Sequence, residues 1–245
     1  MKIKDTLTIL IPLKGRDYAT KRILHQMSQD KVPFKILFAD GSGDDNSEWI
    51  RNSNLNIEYH NYGLDDSIHK FMRKMDLACS SITTPLTVMI DNDDLFCLDG
   101  FISGAKFLAE NDDFVSFREN IQEGKDGRPI YSMGPIVSET APHRILDLFG
   151  EGRANGGINS EWHTICRTHV LAKMFKIIHQ SKNQDFQLSH SVNKFWNLFF
   201  GKSHKGYNKP YIYHIMGDSL VQGKKLYSKY VEWVHDSKFQ NSMTI

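Results

Sequence analysis

The sequence predicts an α/β protein with a mainly parallel central sheet flanked by helices. Three observations carry that prediction. Short aliphatic runs, Leu7–Leu13, Phe34–Ala39 and Leu86–Ile90, read as buried strands. Between them lie stretches whose apolar residues recur at helical spacing, with short connections. Two of the runs end in acidic turns, Asp40-Gly41-Ser42 and Asp91-Asn92-Asp93-Asp94, and parallel sheets bind ligands beyond the carboxyl ends of their strands.

Each element has its own signal. Leu7–Leu13 is stopped by Gly15, and Tyr18, Ile23, Leu24 and Met27 then mark a helix over 17–29, with Asp17 as its expected N-cap. A helix over 47–52 and a short strand, Leu55–Tyr59, follow the Asp40 turn. Ile68, Phe71, Met72, Met75 and Cys79 define an amphipathic helix ahead of the Leu86–Ile90 strand. Phe101–Glu110 reads as helix and Phe114–Phe117 as strand. The second half is less regular. Lys125–Arg128 reads as a hairpin turn, and 133–160, rich in Gly, Pro, Asn and Ser, as one long functional loop. Within it, Gly152–Gly157 has a lid's composition but lacks the Gly-Lys-Ser/Thr ending of a phosphate loop. Thr164–Arg167 is an expected strand and His169–His179 a helix. A further helix from about Asp185 carries Leu188, Val192, Phe195, Trp196 and Phe199 on one face. Tyr211–Ile215 reads as a late strand and Tyr227–Val234 as a closing amphipathic segment.

Composition narrows the function. Among 245 residues, 30 Lys and Arg face 29 Asp and Glu, a balance that argues against a duplex-DNA binder. The three cysteines, Cys79, Cys97 and Cys166, have no zinc or disulfide spacing and fit a reducing compartment. No run is apolar enough to span a bilayer and the start does not read as a signal peptide, so the expected address is cytoplasmic. The even total conceals two fields: residues 91–113 hold seven acids against Lys106, and residues 182–229 hold eight lysines against Asp185 and Asp218. The acidic block suits a divalent cation; the basic one suits diphosphate, an anionic acceptor or a membrane face.

The Asp91–Asp94 turn is the sharpest feature. Three carboxylates in four residues at a strand end repel one another unless a cation neutralises them, and carboxylates suit Mg²⁺ or Mn²⁺. A solvated acidic turn with Asp94 capping the next helix would carry the same sequence. Asp40 could accept from a base or ribose, or could close an ordinary turn.

Leu7–Arg16, Phe38–Ser42 and Met89–Asp94, taken together, resemble the amino-terminal half of family 2-like glycosyltransferases with the GT-A fold. Lys74-Met75 and Thr83-Thr84-Pro85 are similar to the stretch before the D-x-D motif in a bacterial subgroup. The chain departs from that pattern in Leu13-Lys14-Gly15-Arg16 and in a single Asp before Gly41-Ser42. The resemblance implies one continuous GT-A domain, with 1–118 binding the donor and 119–245 the acceptor and catalytic base. It implies a metal-dependent inverting hexosyltransferase that moves a sugar from a nucleotide-diphospho-sugar, a UDP-sugar first, to a saccharide or glycolipid. The setting would be surface polysaccharide synthesis at the inner membrane face, with no nucleic-acid partner. Pro12, Lys14, Arg16, Asp40 and Lys74 would border base and ribose, with Asp91 and Asp93 at ribose and metal. Asp93, Asp94 and His214 are the implied ligands for Mn²⁺ or Mg²⁺, the register among the carboxylates staying open. Asp185 stands where relatives carry the base, in a segment similar to E-D-x-x-L with Gln184 replacing the first acid. Trp162 falls where an aromatic ring stacks on acceptor sugar. Two alternatives are a non-catalytic binding domain of the same fold and a sugar-nucleotide pyrophosphorylase, whose G-x-G-T-R turn Leu13–Asp17 matches poorly.

Overall fold

The computed structural model describes residues 3–123, 134–149, 163–182, 192 and 195–213. Strand β1 (Leu7–Leu13) lies between β2 (Lys35–Asp40), parallel on one side, and β4 (Leu86–Met89), parallel on the other. Beyond β2 comes β3 (Ile57–Asn61), again parallel. Beyond β4 come β6 (Ile165–Arg167), β5 (Phe114–Glu123) and β7 (Lys202–Tyr213), giving seven strands in the order β3-β2-β1-β4-β6-β5-β7. β6 runs antiparallel to both neighbours, so the sheet is mostly parallel but mixed.

Because side chains alternate along a strand, each run loads two faces. Leu7, Ile9, Ile11 and Leu13 of β1 pack with Ile36, Phe38, Val88 and Ile165 under α1 (Asp17–Gln29), α2 (Ser47–Arg51) and α4 (Leu98–Glu110). Leu10, Leu37, Ala39, Met89 and Cys166 point the other way. They meet Met72, Met75 and Cys79 of α3 (Ile68–Ser81) and Leu171, Met174 and Phe175 of α6 (Thr168–Gln180). Burial on both faces explains why these strands read as continuous apolar runs and not as alternating ones.

Several sequence readings need correction. The N-cap of α1 is Arg16, in a left-handed conformation with φ 62°, and Asp17 is the first helical residue. The N-cap of α4 is Cys97, not Asp94. The stretch expected to be loop holds a helix, α5 (Ala141–Phe149), whose Ile145 and Leu148 pack on Ile136 and Leu198. The late strand starts at Lys202, and β5 continues to Glu123. Residues 195–200 are helical as expected, but Phe199 is exposed while Trp196 packs on the α3–α6 side. The three cysteines are free thiols. The readings at 125–128, 152–157 and 227–234 lie outside the described residues. Among those described, no helix is long and apolar enough to cross a membrane.

Candidate functional site

Three turns follow the carboxyl ends of β1, β2 and β4, and short polar contacts join them into one surface. Gly15 and Arg16 are both left-handed, φ 64° and 62°, which turns the chain sharply after β1. That turn aims the Gly15 amide at Ser42 Oγ, 2.9 Å away, joining the first turn to the second. Asn92 joins the third: its amide donates to Thr20 Oγ1 at 2.8 Å and to Gly15 O at 3.3 Å. Arg16 also pairs with the Asp93 carboxylate, and Arg22 donates to the Asp93 carbonyl.

Asp40 is fully buried at the end of β2. Its carboxylate accepts from Ser42 N at 2.8 Å, Asn46 Nδ2 at 2.9 Å and Tyr59 OH at 2.7 Å. Burial, then the Asp40 carboxylate, pushes the Tyr59 phenol well above its ordinary range, so it stays a donor. Asp40 therefore builds the Gly41-Ser42 turn, and the backbone it fixes faces the edge. Beneath lies Asp65, which sequence reading missed. Its carboxylate meets Lys74 Nζ at 2.5 Å and Lys14 Nζ at 3.3 Å. A Cβ on Gly41 would sit 2.3 Å from Asp65 Oδ2, so only glycine lets the turn close over this pair. Lys74, 2% exposed, also donates to Leu13 O at 3.1 Å. Burial pulls its ammonium below the ordinary lysine value, with Asp65 opposing. Lys74 thus supports the turn from below, while Lys14 stands at its exposed rim and Pro12 is half-buried in β1.

On the β4 side, Asp91, Asp94 and His163 bring one ligand atom each to within 4.8 Å of one another. β6 explains how. It pairs antiparallel with β4, Val88 opposite Ile165, so the residues before it return over the end of β4. His163 is buried, with Nδ1 3.8 Å from Asp94 Oδ2. Burial lowers its pKa, with Asp91 pulling the other way, which favours the neutral imidazole that metals bind. Two carboxylates and one imidazole form an oxygen-rich set of charge −2 that fits a divalent ion, and the mixed O/N donors suit Mn²⁺. Asp91 and Asp94 are members of this set, while Asp93 lies outside it and pairs with Arg16. His163 had no motif to announce it, since only strand pairing brings it to Asp91. Asp185, Trp162 and His214 lie outside the described residues.

Comparison with known proteins places the fold. No protein-family model matches the sequence, and no curated protein is similar to it. Solved structures do match. TarS residues 1–349 from S. aureus superposes with a TM-score of 0.61 at 14% identity, over 84% of this chain and 59% of that one. The same protein in complex with UDP-GlcNAc gives 0.60 at 15%, over 97% and 64%. The mannosyltransferase PcManGT from Pyrobaculum calidifontis, in complex with GDP-Man and Mn²⁺, gives 0.51 at 9%, over 87% and 58%. The chain thus spans roughly six-tenths of these matched chains. The architecture is the GT-A fold of nucleotide-sugar transferases.

Proposed function

We propose that this chain is a metal-dependent glycosyltransferase using a nucleotide-diphospho-sugar donor. One observation carries the reading: Asp91, Asp94 and His163 converge at the carboxyl end of β4, within a GT-A sheet. The matched structures support it, since one holds UDP-GlcNAc and another GDP-Man with Mn²⁺.

Asp91, Asp94 and His163 would hold Mn²⁺ or Mg²⁺, which neutralises charge on a departing diphosphate. The chain's own residues do the rest. The Lys14–Arg16 and Gly41–Ser42 turns, fixed by Asp40 and the Lys74–Asp65 pair, form the donor's base and ribose wall. Arg16, held by Asp93, sets the edge between that wall and the acidic cluster. Asp185, by its resemblance to the E-D-x-x-L segment, takes the acceptor hydroxyl's proton as that oxygen bonds the anomeric carbon. The bond from that carbon to the diphosphate oxygen breaks, its electron pair leaving with the nucleoside diphosphate, and the anomeric configuration inverts. Residues 1–118 serve the donor and 119–245 the acceptor, a saccharide or glycolipid hydroxyl with Trp162 stacked on its sugar. The setting is cytoplasmic surface-polysaccharide synthesis at the membrane's inner face.

The test is hydrolysis of UDP-GlcNAc and GDP-Man with and without Mn²⁺, in the wild type and in Asp94→Ala. Metal-dependent turnover of one donor, lost in the variant, is the expected result. Absence of any metal-dependent nucleotide binding by the wild type would overturn the reading.

A further inference from the structure

We propose that the outer face of α3 and α6 docks on an anionic lipid bilayer. The two helices pack over one face of the sheet and meet at Asp76 and His179, whose Nδ1 lies 2.8 Å from the carboxylate. Their exposed charges are all positive: Lys70 and Arg73 on α3, Lys173 and Lys176 on α6. Asp76 is the only acid on either helix, and it is half-buried against His179. Lys70 meets Asp66 just before α3, whereas no carboxylate pairs with Arg73, Lys173 or Lys176 among the described residues.

The same face exposes apolar side chains among these cations. Leu77 is 41% exposed and Ile177 37%. Phe200, 43% exposed, joins them: Lys173 lies over its ring, 5.3 Å from the centroid. Trp196, beside that ring, donates to Val170 O at 2.9 Å and fixes the helical residues 195–200 against α6. The layer on the other side of the sheet is the internal control. Helices α1, α2 and α4 expose Asp17, Glu48, Asp99 and Glu110 against Lys21, Arg51 and Lys106, and their one exposed large apolar side chain is Tyr18. A layer that faces only water carries mixed charge; α3 and α6 carry one sign with apolar residues interleaved.

That combination fits a bilayer surface. Lys and Arg reach anionic headgroups on long apolar stems, while Leu, Ile and Phe enter the boundary with the acyl chains. A soluble polyanion would pair the cations and leave Leu77, Ile177 and Phe200 in water. Contact of this kind is peripheral, in keeping with described helices that are too short or too polar to cross a membrane. The strand ends open along the sheet and not through the helix layer, so lipid against α3 and α6 leaves the Asp91–Asp94 edge uncovered. The docking rests on charge and exposure; that it serves a glycolipid acceptor rests on the function proposed above.

The test is co-sedimentation of the full chain with two kinds of vesicle, pure phosphatidylcholine and a mixture containing about one third phosphatidylglycerol. Binding to the anionic vesicles only is expected, weakening as salt rises. Arg73→Gln with Lys176→Gln weakens it about fivefold for each cation removed. Leu77→Ser with Ile177→Ser weakens it severalfold at constant charge. Lys21→Gln with Lys106→Gln, equal in charge loss but on the opposite layer, leaves it nearly unchanged. All six positions are exposed, so the variants keep the fold, and Lys176→Gln alone carries the charge test should the pair not fold. No binding to anionic vesicles, or binding that survives the Arg73 and Lys176 substitutions, overturns the docking face. Equal binding to polyglutamate, insensitive to the Leu77 and Ile177 substitutions, marks a general polyanion surface and overturns it too. UDP and GDP titrated with Mg²⁺ read the transferase proposal separately. Nucleotide binding without vesicle binding sinks only the docking, and the converse sinks only the transferase.

Discussion

On the β2 side of the site, Asp40 takes three hydrogen bonds from Ser42, Asn46 and Tyr59, and Asp65 sits against Lys74 and Lys14. On the β4 side, Asp91 and Asp94 converge on the His163 imidazole, whose pKa burial lowers while Asp91 pulls the other way. The first arrangement uses carboxylates to close turns, and its charges contribute to folding. The second groups like charges at a cost to folding, a cost that the cation proposed above would remove. In the function proposed above, the difference separates residues that build the donor wall from residues that would hold the metal.

Asp94→Asn should show the contrast most strongly. Donor turnover in Mn²⁺ should fall at least a thousandfold, about 4 kcal/mol of lost transition-state stabilisation. The Mn²⁺-induced rise in Tm should vanish, while the metal-free Tm holds or rises, because one like charge has gone. A large drop in metal-free stability would place Asp94 with the wall-building carboxylates and break the comparison.

Lys74→Met tests the other side. Removing the ammonium leaves Asp65 buried without its closest cation, which should cost about 3 kcal/mol in urea denaturation. Adding Asp65→Leu should recover most of that, since a buried pair can be replaced by apolar groups far more cheaply than it can be broken. If the double variant is no better than the single, the pair is not a unit and Lys74 matters through its contact with Leu13 O.

What the sequence shows of this site follows from the range of the forces involved. β1, β2 and β4 are legible because burial on both faces leaves continuous apolar runs, and acidic turns follow β2 and β4. α5 is hidden because Gly, Pro and Ser surround a short helix whose buried face is small. β7 is obscured at its start because Lys202, Ser203, His204 and Lys205 are polar on both faces, and its place comes from pairing with β5. His163 and Asp65 have no local signal. One depends on a three-residue antiparallel strand, and the other on a glycine that lets a turn descend onto it.

Tyr59→Phe is the subtler probe of the wall. It removes one of three donors to Asp40 and keeps the ring's packing, so the carboxylate retains Ser42 and Asn46. A loss of about 1–2 kcal/mol is expected, with donor KM rising more than kcat falls. An unchanged KM would mean that Asp40 holds its turn without the phenol.

The smallest effect belongs to Lys70→Ala, and its smallness is informative. Lys70, on the first turn of α3, pairs at 2.8 Å with Asp66 just before the helix, near the buried Lys74–Asp65 pair in sequence. Both partners are about half exposed, so water already solvates each charge and the pair adds little. The hydrogen bond from Lys70 lowers the Asp66 pKa, but that records local geometry and not a contribution to the fold. Denaturation midpoints of Lys70→Ala and wild type should coincide within error at moderate salt, where Lys74→Met has already lost its large increment. If the exposed pair proved as costly to break as the buried one, desolvation would not be what distinguishes the wall's carboxylates. The same logic used to separate Asp65 from Asp91 and Asp94 would then fail.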